Sequence, residues 1–305
     1  MDVKPIINEP FSSWQQIDWE RLDLEELVTI QRKARTAIEG KRKLEGKLRQ
    51  ATNGARTLPE PLYPGKARYR TMITHVAPAR LRDSVDKLDR CVLGVSLGGS
   101  NAPTFHGAKL EAIVRWIAAR ATRCCVLVGD SLGRISLEVR EGMAPQVAEY
   151  EARALGRHYV AETEAIFRHY TSEHITFEFR YGTEYADHPN FYPYLDNVRA
   201  TYQQNAAFRE TTHAFAGEYL TRTARSLGQG EAGLSERWQQ IAREYLLEEI
   251  ALFACFAADG WPALVYPGSI DSIVEVAEGR FPALPAPLQA FQFIALWLDA
   301  KNGSR

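Results

Sequence analysis

No stretch of this 305-residue chain runs 18 or more apolar residues without a break, so no part of it is expected to cross a membrane as a helix. The opening residues, MDVKPIINEPFSSW, lack the basic-then-apolar layout of a signal peptide. Cysteine is scarce: Cys91, Cys124, Cys125 and Cys255 are the four, none forms a C-x-x-C pair, and three lie in apolar runs. They are expected to be reduced core thiols of a cytoplasmic protein, not disulfides or metal ligands. Neither sign of charge dominates. With 37 Lys and Arg against 38 Asp and Glu, the net charge of −1 exerts no general pull on nucleic acid or membrane, and such a partner would need a local patch. Internal repeats and low-complexity tracts are absent as well.

What is present has the ordinary balance of a globular protein, 45% apolar and 25% charged, with enough length for one large α/β domain. Residues 1–65 read as a helical, basic extension. A helix is expected from near Asp23 to the TNG and LPEPLYPG breakers, and its second half carries Lys41, Arg42 and Lys43 among other cations. That half is either a solvated face or a phosphate-binding arm. Residues 66–305 form the main domain. Cys91–Val95 is a buried strand. In GAKLEAIVRWIAAR, Leu110, Ile113, Val114 and Ile117 fall at i, i+3, i+4 and i+7, a helical stripe, and CCVLV (124–128) is the next strand. Strand, helix and strand at this spacing form a βαβ unit, so the expected fold is α/β with a parallel sheet flanked by helices. Further helices are expected over 144–170, much of 187–227 and 234–258, with strands at 174–180 and 262–266. The final apolar stretch, LQAFQFIALWLDA, is read as a helix.

The chain breaks from strand into glycines at CVLGVSLGGSN, which places Ser96 at a strand's carboxyl end, where open α/β sheets hold ligands. Gly94-Val95-Ser96-Leu97-Gly98 fits the G-x-S-x-G nucleophile elbow of hydrolases. Those enzymes also need an acid and a late histidine, and here no histidine follows His213. Gly94 and Gly99 have the Walker-A gap, but Ser100-Asn101 stand where Lys-Ser/Thr is required, and G-x-G-x-x-G is absent. A serine that merely caps the next helix is the plainer alternative.

Two further features bear on Ser96. Tyr245 and Glu249 are four apart on one face of the 234–258 helix, a face that also carries Ile241 and Leu252, so both polar groups point toward the core or a pocket. A carboxylate in such a place needs a partner, either an internal arginine or a substrate ammonium. Tyr266, beside Pro267-Gly268, sits at the end of another short strand and opens onto the same crevice.

In this order the three elements resemble the tRNA-dependent cyclodipeptide synthases. The family's H-x-[LVI]-[LVI]-G-[LVI]-S reads here Arg90-Cys91-Val92-Leu93-Gly94-Val95-Ser96. Its Y-[LVI]-x-x-E-x-P reads Tyr245-Leu246-Leu247-Glu248-Glu249-Ile250-Ala251, and its late tyrosine is Tyr266. Arg90 stands in place of the histidine and Ala251 in place of the proline. Gly99, three residues after the serine, together with Tyr266-Pro267 resembles the XYP subgroup. The resemblance covers residues 70–300.

The resemblance implies a Rossmann-like domain similar to class Ic aminoacyl-tRNA synthetase catalytic domains, two aminoacyl-tRNAs as substrates, and no ATP, metal or membrane; a monomer is expected. It implies that Ser96 carries first an aminoacyl and then a dipeptidyl group. Glu249 and Tyr245 would hold the first amino acid's ammonium, and Tyr266 would move a proton as the ring closes. Gly94, Gly98 and Gly99 would let the loop approach the ester and steady its oxyanion. Motif offset puts Val92, Leu252 and Leu264, with Pro267 alongside, about the first side chain, which should be uncharged; the second pocket is not placed. Arg153 and Arg157 on the 144–170 helix, supplemented by Lys41, Arg42 and Lys43, would take tRNA. The rival readings are a serine esterase and a non-catalytic Rossmann-like RNA-binding protein.

Overall fold

The computed structural model describes residues 58–63, 68–98, 101–226 and 236–301. The expected basic helix, with Lys41, Arg42 and Lys43, lies outside these residues, as does Gly99. Six strands make one sheet: β1 (Arg68–Ala77), β2 (Leu88–Val95), β3 (Ala121–Val128), β4 (Thr176–Tyr181), β5 (Ala263–Pro267) and β6 (Gln292–Lys301), in the order β1-β6-β5-β2-β3-β4. The helices are α1 (Gly107–Ala118), α2 (Asp130–Glu141), α3 (Pro145–Tyr170), α4 (Phe191–Gln204), α5 (Ala206–Ser226), α6 (Glu236–Ala258) and α7 (Asp271–Ala277). The fold is the expected α/β sheet flanked by helices. From β6 through β4 the strands are parallel, and β1 joins β6 as an antiparallel edge.

The order of connection matters more than the strand count. From β2 the chain moves to β3 and β4 on one side, then returns to place β5 and β6 on the other. β2 and β5 are therefore neighbours across which the winding reverses, and a crevice opens beyond their carboxyl ends. Ser96 follows β2 directly, and Tyr266 lies in the last turn of β5.

Strand alternation decides which face each residue meets. Cys91, Leu93 and Val95 of β2 pack with Leu110, Ile113, Val114 and Ile117 of α1 and with Phe167 and Tyr170 of α3. Val92, on the opposite face, packs with Leu246, Ile250 and Phe253 of α6. Gly94 and Ser96 have the parity of Val92 and so belong to the α6 face. All four cysteines are buried and free. The stretch 58–63, on the extension side of residue 65, is tied to the main domain: the amides of Leu62 and Tyr63 donate to the buried carboxylate of Glu111, which also accepts from the Tyr170 hydroxyl at 3.0 Å.

The expected terminal helix is a correction. LQAFQFIALWLDA supplies a short 3-10 turn (Ala286–Ala290) and then β6, held between β1 and β5. Phe293 and Ala295 face one core while Ile294 and Leu296 face the other. A strand buried on both faces is apolar without alternation, and periodicity cannot tell it from a buried helix. β1, and α2 between Gly129 and Ala144, form where no element was expected. The departures from the family motif are accommodated: the Arg90 guanidinium lies 5.8 Å from the Trp261 ring centre, and Ala251 is fully buried inside α6.

Candidate active site

A cavity at the switch point is lined by the ends of β2 and β5 and by α2 and α6. Ser96, Gly98, Tyr245, Glu249 and Tyr266 all line it, and Gly94 and Leu264 line its inner part. Three segments far apart in sequence thus reach one space. The Ser96 hydroxyl donates to the Gly98 carbonyl at 2.8 Å, which holds the serine at the loop's mouth. The Asn101 amide donates to the Tyr266 hydroxyl at 3.1 Å.

Helix spacing sorts the α6 side chains. Tyr245, Glu249 and Phe253, at i, i+4 and i+8, face the Ser96 cavity. Glu248 and Leu252 lie on the adjacent stripe and line a separate cavity beside α3 and α4. Leu252 is therefore turned away from the space Leu264 lines, and Val92 is buried in the core beneath it. Pro267 is buried at the end of β5 and is not among the described lining residues.

Glu249 forms no ion pair with an arginine among the described residues. Arg134 instead grips the neighbouring Glu248 with two bonds of 2.8 and 2.9 Å. Glu249 is 8% exposed, its Oε2 is buried without a hydrogen-bond partner, and burial pushes its pKa from 4.5 to about 8. Burial thus favours the protonated carboxyl near neutral pH, and a cation reaching it would favour the charged form. Burial, reinforced by Glu249 and Tyr266, raises the Tyr245 phenol well above its usual range. Burial likewise raises Tyr266, against the opposing hydrogen bond from Asn101. Both phenols stay protonated at neutral pH and serve as donors. No histidine is among the described residues lining the cavity, so the serine lacks a hydrolase's general base there.

Several lining groups escaped sequence reasoning. Gly133, Ser136 and Arg140 of α2 face this space at steps of three and four residues. The Ser136 hydroxyl bonds that of Tyr219 at 2.9 Å, and Phe215, Tyr219 and Tyr245 stack at 5.4 to 6.4 Å between ring centres. The same step pattern was the available signal, had α2 been recognised. Along α3, Arg153 is held by Glu149 at 2.7 Å, whereas Arg157 is exposed and has no ion pair among the described residues. No cluster of three or more His, Cys, Asp or Glu able to hold a metal occurs among the described residues. Among them, too, no helix is long and apolar enough to cross a membrane.

The family model described as cyclodipeptide synthase matches residues 76–257, a span that includes Ser96, Tyr245 and Glu249 and ends before Tyr266. No match is found among curated protein sequences. Among solved structures, a cyclodipeptide synthase from Fluoribacter dumoffii is 21% identical with a TM-score of 0.65, covering 77% of this chain and 99% of that one. One from Candidatus Glomeribacter gigasporarum, bound to Phe-tRNAPhe, is 19% identical at 0.57, covering 76% and 96%. A Mycobacterium tuberculosis protein is 14% identical at 0.55, covering 81% and 98%; its structure is described as demonstrating that cyclodipeptide synthetases are related to type I tRNA-synthetases.

Proposed function

The chain belongs to the cyclodipeptide synthase family, and we propose that it condenses two aminoacyl-tRNAs into a 2,5-diketopiperazine through aminoacyl- and dipeptidyl-serine intermediates on Ser96. The observation that carries this reading is the buried carboxyl of Glu249, whose Oε2 has no hydrogen-bond partner among the described residues, in the same cavity as Ser96. An esterase of simple acyl esters has no use for an ammonium site beside its nucleophile. An enzyme that must orient the free amine of an aminoacyl ester does. A solved relative bound to Phe-tRNAPhe supports aminoacyl-tRNA as the substrate class.

In the first step Ser96 Oγ attacks the ester carbonyl of one aminoacyl-tRNA. The Oγ–C bond forms, the bond to the ribose oxygen breaks, and the serine proton ends on that oxygen. Glu249, which releases its proton to solvent as the ammonium's charge favours the carboxylate, and the Tyr245 hydroxyl hold the ammonium and so fix the carbonyl's position. The amine of the second aminoacyl-tRNA then attacks the seryl ester, forming a peptide bond and returning the proton to Ser96. The dipeptide passes from its tRNA back to Ser96 as the first amino acid did. Its free amine attacks the new ester, the six-membered ring closes, and Ser96 leaves as a hydroxyl. Tyr266, a protonated phenol oriented by Asn101, donates to the developing charge and moves the proton at this step. The substrates arrive already activated, so the scheme uses neither ATP nor metal. Gly99 and the Tyr266-Pro267 pair support the XYP subgroup. Arg157, exposed and without an ion pair among the described residues, is the stronger phosphate contact on α3, with Arg153, Lys41, Arg42 and Lys43 supplementing it.

A mixed pool of aminoacyl-tRNAs supplied to the purified protein should yield diketopiperazines detectable by mass spectrometry. Turnover of simple aryl esters with no cyclic product from any pool would favour the esterase instead. Gly94→Ala offers a finer test. The added methyl would sit 3.3 Å from Leu264 Cδ1 and 3.5 Å from Tyr266 Cδ2. The Leu264 contact is tight and that side chain must give way, while the Tyr266 contact is an ordinary one, so cyclic product formation should fall no more than about fivefold. The melting temperature should stay within a few degrees of wild type. A loss of a hundredfold or more would show that the loop at Gly94 has no room for a methyl beside Leu264.

A further inference from the structure

The cavity contains more positive charge than the scheme above consumes. The outer space, about 140 Å³, is lined by Ser96, Asn101, Glu249 and Tyr266, and also by Arg140 in the last turn of α2 and Arg222 on α5. Several arginines of the domain are paired: Arg134 with Glu248, Arg199 with Glu244, Arg153 with Glu149 and Arg168 with Glu164. Arg140 and Arg222 have no ion pair among the described residues. Arg140 Nε is buried and without a hydrogen-bond partner. Arg222 is exposed and extends the site outward, lining a neighbouring cavity of about 340 Å³ together with Glu218, Asp271 and Glu275.

Arg140 and Arg222 against Glu249, the charged residues among those described as lining it, give the cavity a positive balance. The two guanidiniums cannot serve the substrate's ammonium, which they repel. A buried guanidinium donor left unpaired is unfavourable, and the group that best satisfies it is a planar or tetrahedral oxyanion. The stacked rings of Phe215, Tyr219 and Tyr245 form a rigid wall of the same space and limit where such a group can lie.

We infer that Arg140 and Arg222 form an oxyanion subsite for the second aminoacyl-tRNA, receiving either the side-chain carboxylate of its amino acid or a phosphodiester near its 3′ end. The inference rests on the cyclodipeptide synthase reading and supplies the second pocket that motif offsets leave unplaced.

The test compares wild type with Arg140→Gln and Arg222→Gln on a complete aminoacyl-tRNA pool. The readouts are product masses, kcat/KM and its salt dependence. If the anion is a side-chain carboxylate, wild-type products contain Asp or Glu. Each variant then lowers the acidic products at least tenfold relative to any uncharged ones. If it is a phosphodiester, products carry no acidic residue. Each variant then lowers kcat/KM for every aminoacyl-tRNA about tenfold, and the slope of log kcat/KM against log salt falls by about 0.7 per arginine. Variants that melt like wild type and retain its products, rates and salt slope overturn the inference. Arg222→Gln keeps the test decisive even if Arg140→Gln unfolds, because Arg222 is exposed. A wild-type protein that makes no cyclic dipeptide from any pool sinks the underlying reading and this inference with it.

Discussion

Ser96→Ala eliminates the cyclic dipeptide, with a loss of at least about 10³-fold in rate, and leaves the fold intact. The size of the effect follows from the lack of a substitute. Ser136 and Ser269, the other serines among the described lining residues, are engaged with the Tyr219 hydroxyl and the Asp271 carboxylate, and burial raises the Tyr245 and Tyr266 phenols, so neither supplies an oxyanion nucleophile at neutral pH. The structural loss is small: one hydrogen bond from Ser96 Oγ to the Gly98 carbonyl, about 1 kcal/mol. Two measurements separate this result from loss of folding. Wild type exposed to a single aminoacyl-tRNA should gain the mass of one aminoacyl residue on the peptide containing Ser96, and the variant should not. Both should melt within a few degrees of each other and bind aminoacyl-tRNA alike. If Ser96→Ala still makes product, the covalent route is wrong and direct attack of one aminoacyl-tRNA on another replaces it. If wild type hydrolyses aryl esters and carries no aminoacyl group, the elbow belongs to an esterase after all.

The serine loop was legible in the sequence because two independent patterns converge on it. The glycine break after an apolar run marks a strand end, and the stripe of Leu110, Ile113, Val114 and Ile117 marks the helix that must cover that strand. All four are fully buried, as such a stripe requires. The pairing of Tyr245 with Glu249 was legible from spacing alone, since positions four apart share a helix face. Spacing could not choose between an arginine and a substrate as the carboxyl's partner. That depended on where α2 lies, because α2 brings Arg134 to Glu248 and leaves Glu249 alone. α2 itself is hard to read: DSLGRISLEVRE mixes charge with only a few buried apolar positions, Leu132, Ile135 and Val139, beside the buried Asp130. β6 failed for the opposite reason, being apolar on both faces. The Asn101 contact with Tyr266 joins residues 165 apart in the chain, and only the sheet order makes them neighbours. The first side-chain pocket shows the limit of motif offsets. Leu252 lies three residues beyond Glu249, and that step is enough to move it onto the next stripe of α6 and into another cavity.

Glu249→Gln should make the substrate-free protein more stable and nearly inactive, two effects of opposite sign from one atom exchange. In the folded chain the carboxyl titrates at about 8, against 4.5 when exposed. Between those values the unfolded chain has released a proton that the folded chain retains, so stability is fully present below about pH 4.5 and drains away as pH rises toward 8. Glutamine has no proton to lose and escapes this drain. Near pH 4 the two proteins should unfold at similar denaturant concentrations. At pH 7 the variant should be more stable by about 3 kcal/mol, at the upper end of what the shift allows. Urea unfolding at both pH values measures the difference. Activity moves the other way, because glutamine offers an ammonium no charge; losing one charge-assisted bond at the reacting group should lower kcat/KM about a hundredfold. A merely structural carboxyl would give the reverse pair, with stability lost and activity falling only as the fold weakens. A site that binds a cation with a carboxyl held neutral until the cation arrives must carry this strain when empty. Relief of that strain on binding is what would make the ammonium of an aminoacyl ester the ligand the cavity prefers.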